Sequence, residues 1–211
     1  AFGVASLEME NYEADDIIAT LARQAREAGG EVTIISSDKD LMQLVGGGVE
    51  MFDAMKLKRI GVAEVEEKFG VTPDRVVDGQ ALASDSVDNV PGAPGIGIKT
   101  AALLINEYGD LETLLARAEE IAQPKRRAAL VENADLIRIS KRLVTLDDHT
   151  PVPWTLDELA VKRPEAAPLM EFLSKMEFRT LTKRVAEALK VEAPVIAEMP
   201  AAPAAPAADD T

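Results

Sequence analysis

Apolar residues recur on a helical period over residues 13–28, with Ile17, Ile18, Leu21 and Ala25 on one face and Gly29-Gly30 ending the run. Val32, Ile34 and Ile35 within Glu31–Ser36 then predict a short buried strand. A second short helix is expected over Asp38–Leu44, broken by Gly46-Gly47-Gly48, and Val49–Phe52 and Leu57–Ile60 read as two further short strands. This alternation predicts an α/β layer. Beyond residue 61 the pattern turns helical, with segments 61–69, 74–84, 98–107, 110–117, 125–145, 165–176 and 179–190. Met170, Phe172, Leu173 and Phe178 read as core positions of that part. From Val191 alanine and proline dominate without periodicity. Such a stretch buries too little apolar surface to offset its ordering entropy, so a disordered linker is expected there. The expected organisation is an α/β part over 1–72, a mainly helical part over 73–190 and a linker over 191–211.

The 211 residues include 47% hydrophobic and 28% charged positions, which suits a globular domain with a sizeable core. Without cysteine, disulfides and thiolate metal sites are excluded, and a reducing compartment fits. No apolar run approaches the ~20 residues that span a membrane as a helix. A formal net charge of −14 argues against a nucleic-acid partner. The objection weakens if part of that charge binds cations and part lies in an acidic tail. The chain opens Ala-Phe-Gly-Val, without methionine, and reads as a piece of a longer protein.

The acids are not spread evenly. Glu13, Asp15 and Asp16 form one cluster, Asp38 and Asp40 a second, and Asp85 and Asp88 a third. Carboxylates this dense repel one another unless cations hold them, and all-oxygen sets suit Mg²⁺ or Mn²⁺. Each cluster also has a simpler reading. Acids at a helix N-terminus are favoured by its dipole, so the first cluster could be helix capping. In the second, Ser36, Ser37 or Asp38 could cap the following helix, which leaves the other aspartate unexplained. The third precedes Val90-Pro91-Gly92 and could be a turn. Three acidic groups in series, the last running into a glycine-rich hairpin, favour a metal site over three separate caps.

That hairpin is Pro94-Gly95-Ile96-Gly97, with Gly92 before it and a helix opening at Ile98 or Lys99. Gly95 and Gly97 permit positive φ and leave backbone amides bare to a phosphate. The helix N-terminus adds its positive dipole end, and Lys99 and Thr100 add a charge and a hydroxyl. Ile96, with Ala101 and Leu104 behind it, completes the pattern of a DNA-binding helix–hairpin–helix, which grips backbone and not bases. The competing reading is a tight helix connection that only packs. His149, in Asp147-Asp148-His149-Thr150-Pro151, reads as a solvated loop residue, and Trp154 as packing. Lys125-Arg126-Arg127, continued by Arg138, Lys141 and Arg142, reads as a solvated basic face with a minor share in backbone contact.

Taken in order, Tyr12-Glu13-Ala14-Asp15-Asp16, Asp38-Lys39-Asp40, the Asp85–Gly92 segment and Gly95-Ile96-Gly97-Ile98-Lys99-Thr100-Ala101 resemble one family. It is the 5′→3′ exonuclease domain of bacterial DNA polymerase I, a flap-endonuclease-type 5′ nuclease, and the resemblance covers roughly residues 3–190. The resemblance implies a parallel-sheet nuclease core, here lacking its N-terminal part, followed by a helical part with a helix–three-turn–helix element. It implies that Glu13, Asp15, Asp16, Asp38, Asp40, Asp85 and Asp88 are metal ligands, with two Mg²⁺ or Mn²⁺ ions in the complete domain. It implies that the hairpin grips duplex DNA through Gly92, Gly95, Gly97, Lys99 and Thr100. A potassium ion on backbone carbonyls near Leu82, Ala83, Pro91, Ala93 and Ile96 is also implied. Where the family has glycine before the first aspartate of the third cluster, this chain has Ser84. The family's first metal-binding aspartate and its basic arch would lie upstream of residue 1.

The expected function is therefore metal-dependent phosphodiester hydrolysis on a 5′ flap, nick or primer-bearing duplex, in a bacterial cytoplasm at the nucleoid. A polymerase portion is expected downstream. The alternatives are a non-catalytic duplex-binding module and a stand-alone 5′ nuclease.

Overall fold

Burial alternates strictly along Val49–Asp53 (β2), where Val49, Met51 and Asp53 point inward between half-buried Glu50 and Phe52. The computed structural model, which describes residues 2–85 and 89–194, makes β2 the centre of a three-stranded sheet. On one side Val32–Ile35 (β1) pairs parallel, Val32 opposite Val49 and Ile35 opposite Phe52. On the other Lys58–Ile60 (β3) pairs antiparallel, Met51 opposite Ile60. Asp53 closes the β2–β3 turn by accepting the amides of Met55 and Lys56, each at 3.0 Å. The sheet is thus mixed, with one parallel and one antiparallel pairing.

The strand expected to be buried is an edge. Only Ile34 of β1 is buried, and Ile35 is 70% exposed. With one paired neighbour among the described residues, β1 leaves a row of backbone groups open, the kind of edge that invites further pairing.

The first helix, Ala14–Glu27 (α1), begins where expected, with Glu13 extended at its N-cap. It buries Ile17, Ala19, Thr20 and Ala22, so the buried face carries a polar threonine that periodicity alone did not choose. The predicted helix at 38–44 is a 3₁₀ turn over Asp40–Leu44 that buries Leu41 and Met42. Helices α2 (Val62–Phe69), α3 (Val76–Leu82), α4 (Ile98–Tyr108) and α5 (Leu111–Ala116) match their expected segments within a few residues. The predicted 125–145 helix is two, α6 (Pro124–Glu132) and α7 (Ala134–Val144). Asn133 breaks it: its Nδ2 donates to the Ala129 carbonyl at 2.8 Å, and its backbone sits at φ −115° and ψ 17°. A short amide side chain that bonds local backbone competes with the helix ladder.

Residues 8–156 form one compact unit in which the sheet and helices share a continuous core, with Met51, Val65, Leu82, Leu111, Leu130 and Ile137 fully buried. The second unit combines residues up to Leu7 with those from Asp157 onward. In it the Lys162 amide donates to the Gly3 carbonyl at 2.9 Å. Helices α8 (Ala166–Lys175) and α9 (Arg179–Leu189) pack through Leu169, Met170, Leu173 and Ala186. Phe172 and Phe178, expected in the core, are 37% and 48% exposed, because a two-helix layer buries one face only. Among the described residues no helix is long and apolar enough to cross a membrane. Asp88 and most of the expected linker lie outside the described residues.

Candidate metal centre and phosphate-binding hairpin

The first two acidic clusters meet. Asp15 and Asp16 lie in the first turn of α1, both half-buried, while Glu13 is exposed at the N-cap. Burial, and then the charges of Asp38, Asp40, Glu13 and Asp16, push the Asp15 carboxyl above its ordinary 3.8. The carboxyl end of β1 therefore delivers Asp38 and Asp40 to the N-terminus of α1. Local turns, and not a side-chain cap, occupy part of the second cluster: Asp38 Oδ1 accepts the Asp40 amide at 3.0 Å, and the Asp38 amide donates to Ser36 Oγ at 3.1 Å.

The second and third clusters meet across a cleft of about 360 Å³, lined by Lys39, Asp40, Lys68, Gln80 and Asp85 among others. Asp85, just beyond α3, forms an ion pair with Lys39, the residue between the two aspartates of the second cluster. Asp40 accepts a hydrogen bond from Gln80 Nε2 at 2.5 Å. Partial burial, and then Lys56 and Lys39, lower the Lys68 amine from 10.5, against the opposing pull of Asp38 and Asp40. Asp16 has a further duty. Its Oδ1 accepts the Asp147 amide at 2.9 Å, and buried Thr20 accepts the Thr150 amide at 3.0 Å, so α1 holds the 147–150 loop.

The predicted carboxylates are gathered but not drawn tight. Among the described residues, the set of three ligand atoms lying within 4.8 Å of one another is Asp147, Asp148 and His149, on the surface. His149 is exposed, as expected, with Nδ1 2.5 Å from Asp148 Oδ1. Unneutralised carboxylates at the α1–β1 site would be expected to stand apart, and the upward shift of Asp15 comes first from burial and then from its acidic neighbours. A donor set made only of carboxylate oxygens fits a hard divalent cation.

Among the described residues, the hairpin between α3 and α4 is closed by a series of backbone bonds. Asp85 and Val90 exchange backbone bonds at 2.9 and 2.8 Å, the Ala93 amide donates to the Leu82 carbonyl at 2.8 Å, and that of Ile96 to Ala93 at 3.0 Å. Ala93 and Ile96 are buried and anchor its underside. Gly92 has φ +58°, and a Cβ there would lie 2.4 Å from the Ser84 nitrogen. Its amide donates to buried Ser140 Oγ of α7 at 3.0 Å, and Ser140 in turn donates to the Leu136 carbonyl at 3.0 Å. Gly95 has φ +75°, while Gly97, which the sequence left free to take positive φ, is extended at φ −94° as the N-cap of α4. A Cβ at either would meet nothing within 4 Å, so their backbone faces open space. Lys99 is exposed and Thr100 half-buried, its amide tied to the Gly97 carbonyl at 2.9 Å. Of the carbonyls suggested for potassium, those of Leu82 and Ala93 already accept one bond each, which leaves a second lone pair. Pro91 and Ala83 are half-buried beside them.

The basic stripe is largely spent on pairing. Arg138 pairs with Glu112 at 2.9 Å and Asp135 at 3.3 Å, and Lys141 with buried Asp78 at 2.7 Å. Sequence reading missed Lys39, Lys68, Gln80 and Ser140. Lys39 lay inside a motif already noticed; the others come to the site from distant segments with no local signal.

Residues 1–70 match the family described as 5'-3' exonuclease, N-terminal resolvase-like domain, and residues 71–167 match 5'-3' exonuclease, C-terminal SAM fold. DNA polymerase I of Rhizobium leguminosarum is 55% identical over 196 residues, covering 93% of this chain and 19% of that protein. The 5'-3' exonuclease of Aquifex aeolicus is 38% identical over 183 residues, covering 87% of this chain and 62% of that protein. The chain thus spans about a fifth of the length of the DNA polymerase I relatives. A solved T5 5'-exonuclease mutant shares the fold at TM-score 0.62 and 23% identity, over 67% of this chain and 58% of its own. A T5 5'-exonuclease with bound zinc aligns at TM-score 0.63 and 23% identity, over 67% and 52%. Two adjoining parts of one family account for residues 1–167, and the chain belongs to the 5'-3' exonuclease family.

Proposed function

We propose that this chain is the metal-dependent 5′→3′ nuclease part of a longer DNA polymerase I-like protein, acting on a 5′ end or flap of duplex DNA. The observation that carries the reading is that Asp40, after β1, and Asp85, at the end of α3, line one cleft, that Asp40 also acts on Asp15 of α1, and that a hairpin with bare backbone follows. The alternative of a stand-alone nuclease draws on the Aquifex aeolicus relative; the polymerase-linked reading draws on the higher identity to DNA polymerase I.

In this reading Glu13, Asp15, Asp16, Asp38, Asp40, Asp85 and Asp88 hold Mg²⁺ or Mn²⁺. Bound there, the cations supply charge neutralisation and Lewis-acid polarisation of the phosphodiester. The protein's own part is positional. Asp15 lies among four other acids whose charge, with burial, disfavours its own ionisation until cations arrive, and Lys39 counters Asp85 meanwhile. The amides at Gly95, Gly97 and the start of α4 present donors and a positive dipole end to a phosphate, with Lys99 beside them. Such contacts place a duplex without reading its bases, which suits a structure-specific nuclease. The division into a nuclease layer over 1–72 and a DNA-gripping helical part over 73–190 belongs to the same proposal, as does a potassium ion at the hairpin.

The test is cleavage of a labelled 5′-flap duplex with Mg²⁺ or Mn²⁺, beside Asp38→Ala and Asp85→Ala, with duplex binding measured in Ca²⁺. Each substitution should lower cleavage by more than ~100-fold, beyond what an outer-shell partner costs, while binding in Ca²⁺ persists. Cleavage undiminished in both variants would refute the site; binding with no cleavage by the unaltered chain would leave a duplex-binding module.

A further inference from the structure

Gln80 is a glutamine in the wrong place for ordinary packing. It sits on α3, 7% exposed, among Val76, Ala81 and Leu82, which are all fully buried. Its two amide atoms are treated unequally. Nε2 donates to Asp40 Oδ1 at 2.5 Å, joining α3 to the aspartate that follows β1. Oε1 is buried and finds no hydrogen-bond partner among the described residues. The same side chain lines the cleft that contains Asp40 and Asp85. The carboxylate fixes the orientation of the amide: turned over, it would set Oε1 against the Asp40 oxygen, lone pair against lone pair.

Buried polar atoms are nearly always paired, and one left over calls for an explanation. A glutamine kept only to fill space could be a leucine or methionine at no such cost. One kept only to orient Asp40 would still strand its oxygen. A hydrated divalent cation would account for both ends: its carboxylate ligands need holding, and its water molecules are strong donors that seek acceptors. Mg²⁺ in particular dehydrates reluctantly and keeps several waters in protein sites.

We infer that Gln80 is a positioning residue of the metal centre, its Nε2 fixing the Asp40 carboxylate and its Oε1 accepting a hydrogen bond from a water carried by the cation. This rests on the proposed role of Asp40 as a ligand. Sequence patterns could not suggest it, since a glutamine inside an apolar helix has no motif of its own. Its physical content is that a neutral amide, adding no charge to a crowded acidic site, settles one carboxylate oxygen and offers one acceptor to the hydration shell.

The test is Mn²⁺ binding by the chain, followed by the loss of the free-ion electron paramagnetic resonance signal, for wild type, Gln80→Met, Gln80→Leu and Asp40→Ala. Melting in EDTA is read on the same samples. Gln80→Met keeps length and volume, and Gln80→Leu is a second apolar replacement should the first fold poorly. Partners of this kind typically cost 10–100-fold in metal affinity when removed, and that loss is expected for either apolar variant, with melting in EDTA unchanged or raised. A melting point lowered while Mn²⁺ affinity stays within twofold of wild type would overturn the inference and leave Gln80 a packing residue. If Asp40→Ala abolishes Mn²⁺ binding and the Gln80 variants do not weaken it, the inference alone fails. If Asp40→Ala binds Mn²⁺ as wild type does, the metal site itself is misassigned. Hexaamminecobalt(III), which offers N–H donors but exchanges no ligand, gives a final arm: its binding should weaken in Gln80→Met in step with Mn²⁺.

Discussion

The acidic site and the hairpin adjoin at the C-terminal end of α3, yet they are stabilised in opposite ways. Among the described residues, the hairpin is closed by backbone bonds at Asp85–Val90, Ala93–Leu82 and Ile96–Ala93, and its geometry follows from a few glycines. The acidic site carries a surplus of like charge, relieved in part by Lys39 and Gln80. One region is finished before any ligand arrives; the other is completed by what binds. A phosphate backbone can be met by preformed amides, because its shape varies little, whereas charge neutralisation must come from a cation.

The sharpest way to break that contrast is Gly92→Ala. At φ +58° an L side chain is strained, and its Cβ would press on backbone at Ser84 and Ala83, at 2.4 and 2.7 Å, where nothing flexible can yield. A loss of about 3 kcal/mol in urea unfolding is expected, with the hairpin and the Asp85 turn displaced together. Next is Lys141→Met, which removes the ammonium from Asp78, whose side chain is only 8% exposed. Asp78 would keep the Leu111 amide at 3.1 Å but lose its counter-charge, for roughly 2 kcal/mol, less than a fully buried pair because Lys141 is itself partly solvated. Both variants should weaken duplex binding through the hairpin's mount, since α7 carries Lys141 and Ser140 side by side. Unchanged stability in Lys141→Met would show that α7 does not support this side of the molecule.

How far each region was legible follows from the same contrast. The hairpin is a local device, so Gly92, Gly95 and Gly97 marked its place, and of the two glycines free to take positive φ only Gly95 does so, Gly97 being extended. The carboxylates were visible as clusters, but sequence spacing could not tell that Asp38 and Asp40 would act on Asp15, some two dozen positions away. That meeting is made by the β1–β2 pairing and the turn of α1 over the sheet. Gln80, Lys68 and Ser140 were invisible for the same reason: each is placed by tertiary contact. Asn133 shows the limit for helices, where an apolar period ran through a break set by one side chain bonding backward to Ala129. Phe172 and Phe178 show it for burial, since hydrophobicity predicts what can be buried and not whether a second layer is present to bury it.

A gentler variant, Gly95→Ala, separates the hairpin's fold from its use. The left-handed backbone at φ +75° should cost about 1 kcal/mol, but the new methyl meets nothing within 4 Å. Stability should fall slightly while duplex affinity in Ca²⁺ falls by roughly tenfold, because the methyl stands where a phosphate would approach the amides. Equal affinity would mean that the exposed backbone of Gly95 is not part of the contact.

The smallest effect expected tests the acidic side. Burial and neighbouring carboxylates raise Asp15 above 3.8, so the folded chain holds a proton that the unfolded chain releases more readily. For an acid shifted upward, its favourable contribution is complete below about 3.8 and is lost as pH rises through the raised value. At neutral pH without metal, Asp15 therefore works against folding. Asp15→Asn should raise the melting temperature in EDTA at pH 7 by no more than about 1–2 °C, because water screens a side chain this exposed. The gain should vanish at pH 3, where wild-type Asp15 is itself neutral. With Mn²⁺ present the order should reverse, wild type becoming the more stable because only it retains that ligand. A variant more stable without metal and less stable with it is the signature of charge kept for a cation. If Asp15→Asn were less stable in EDTA as well, the carboxylate would be serving the fold as a cap of α1, and the contrast between a finished hairpin and an unfinished acidic site would lose its basis.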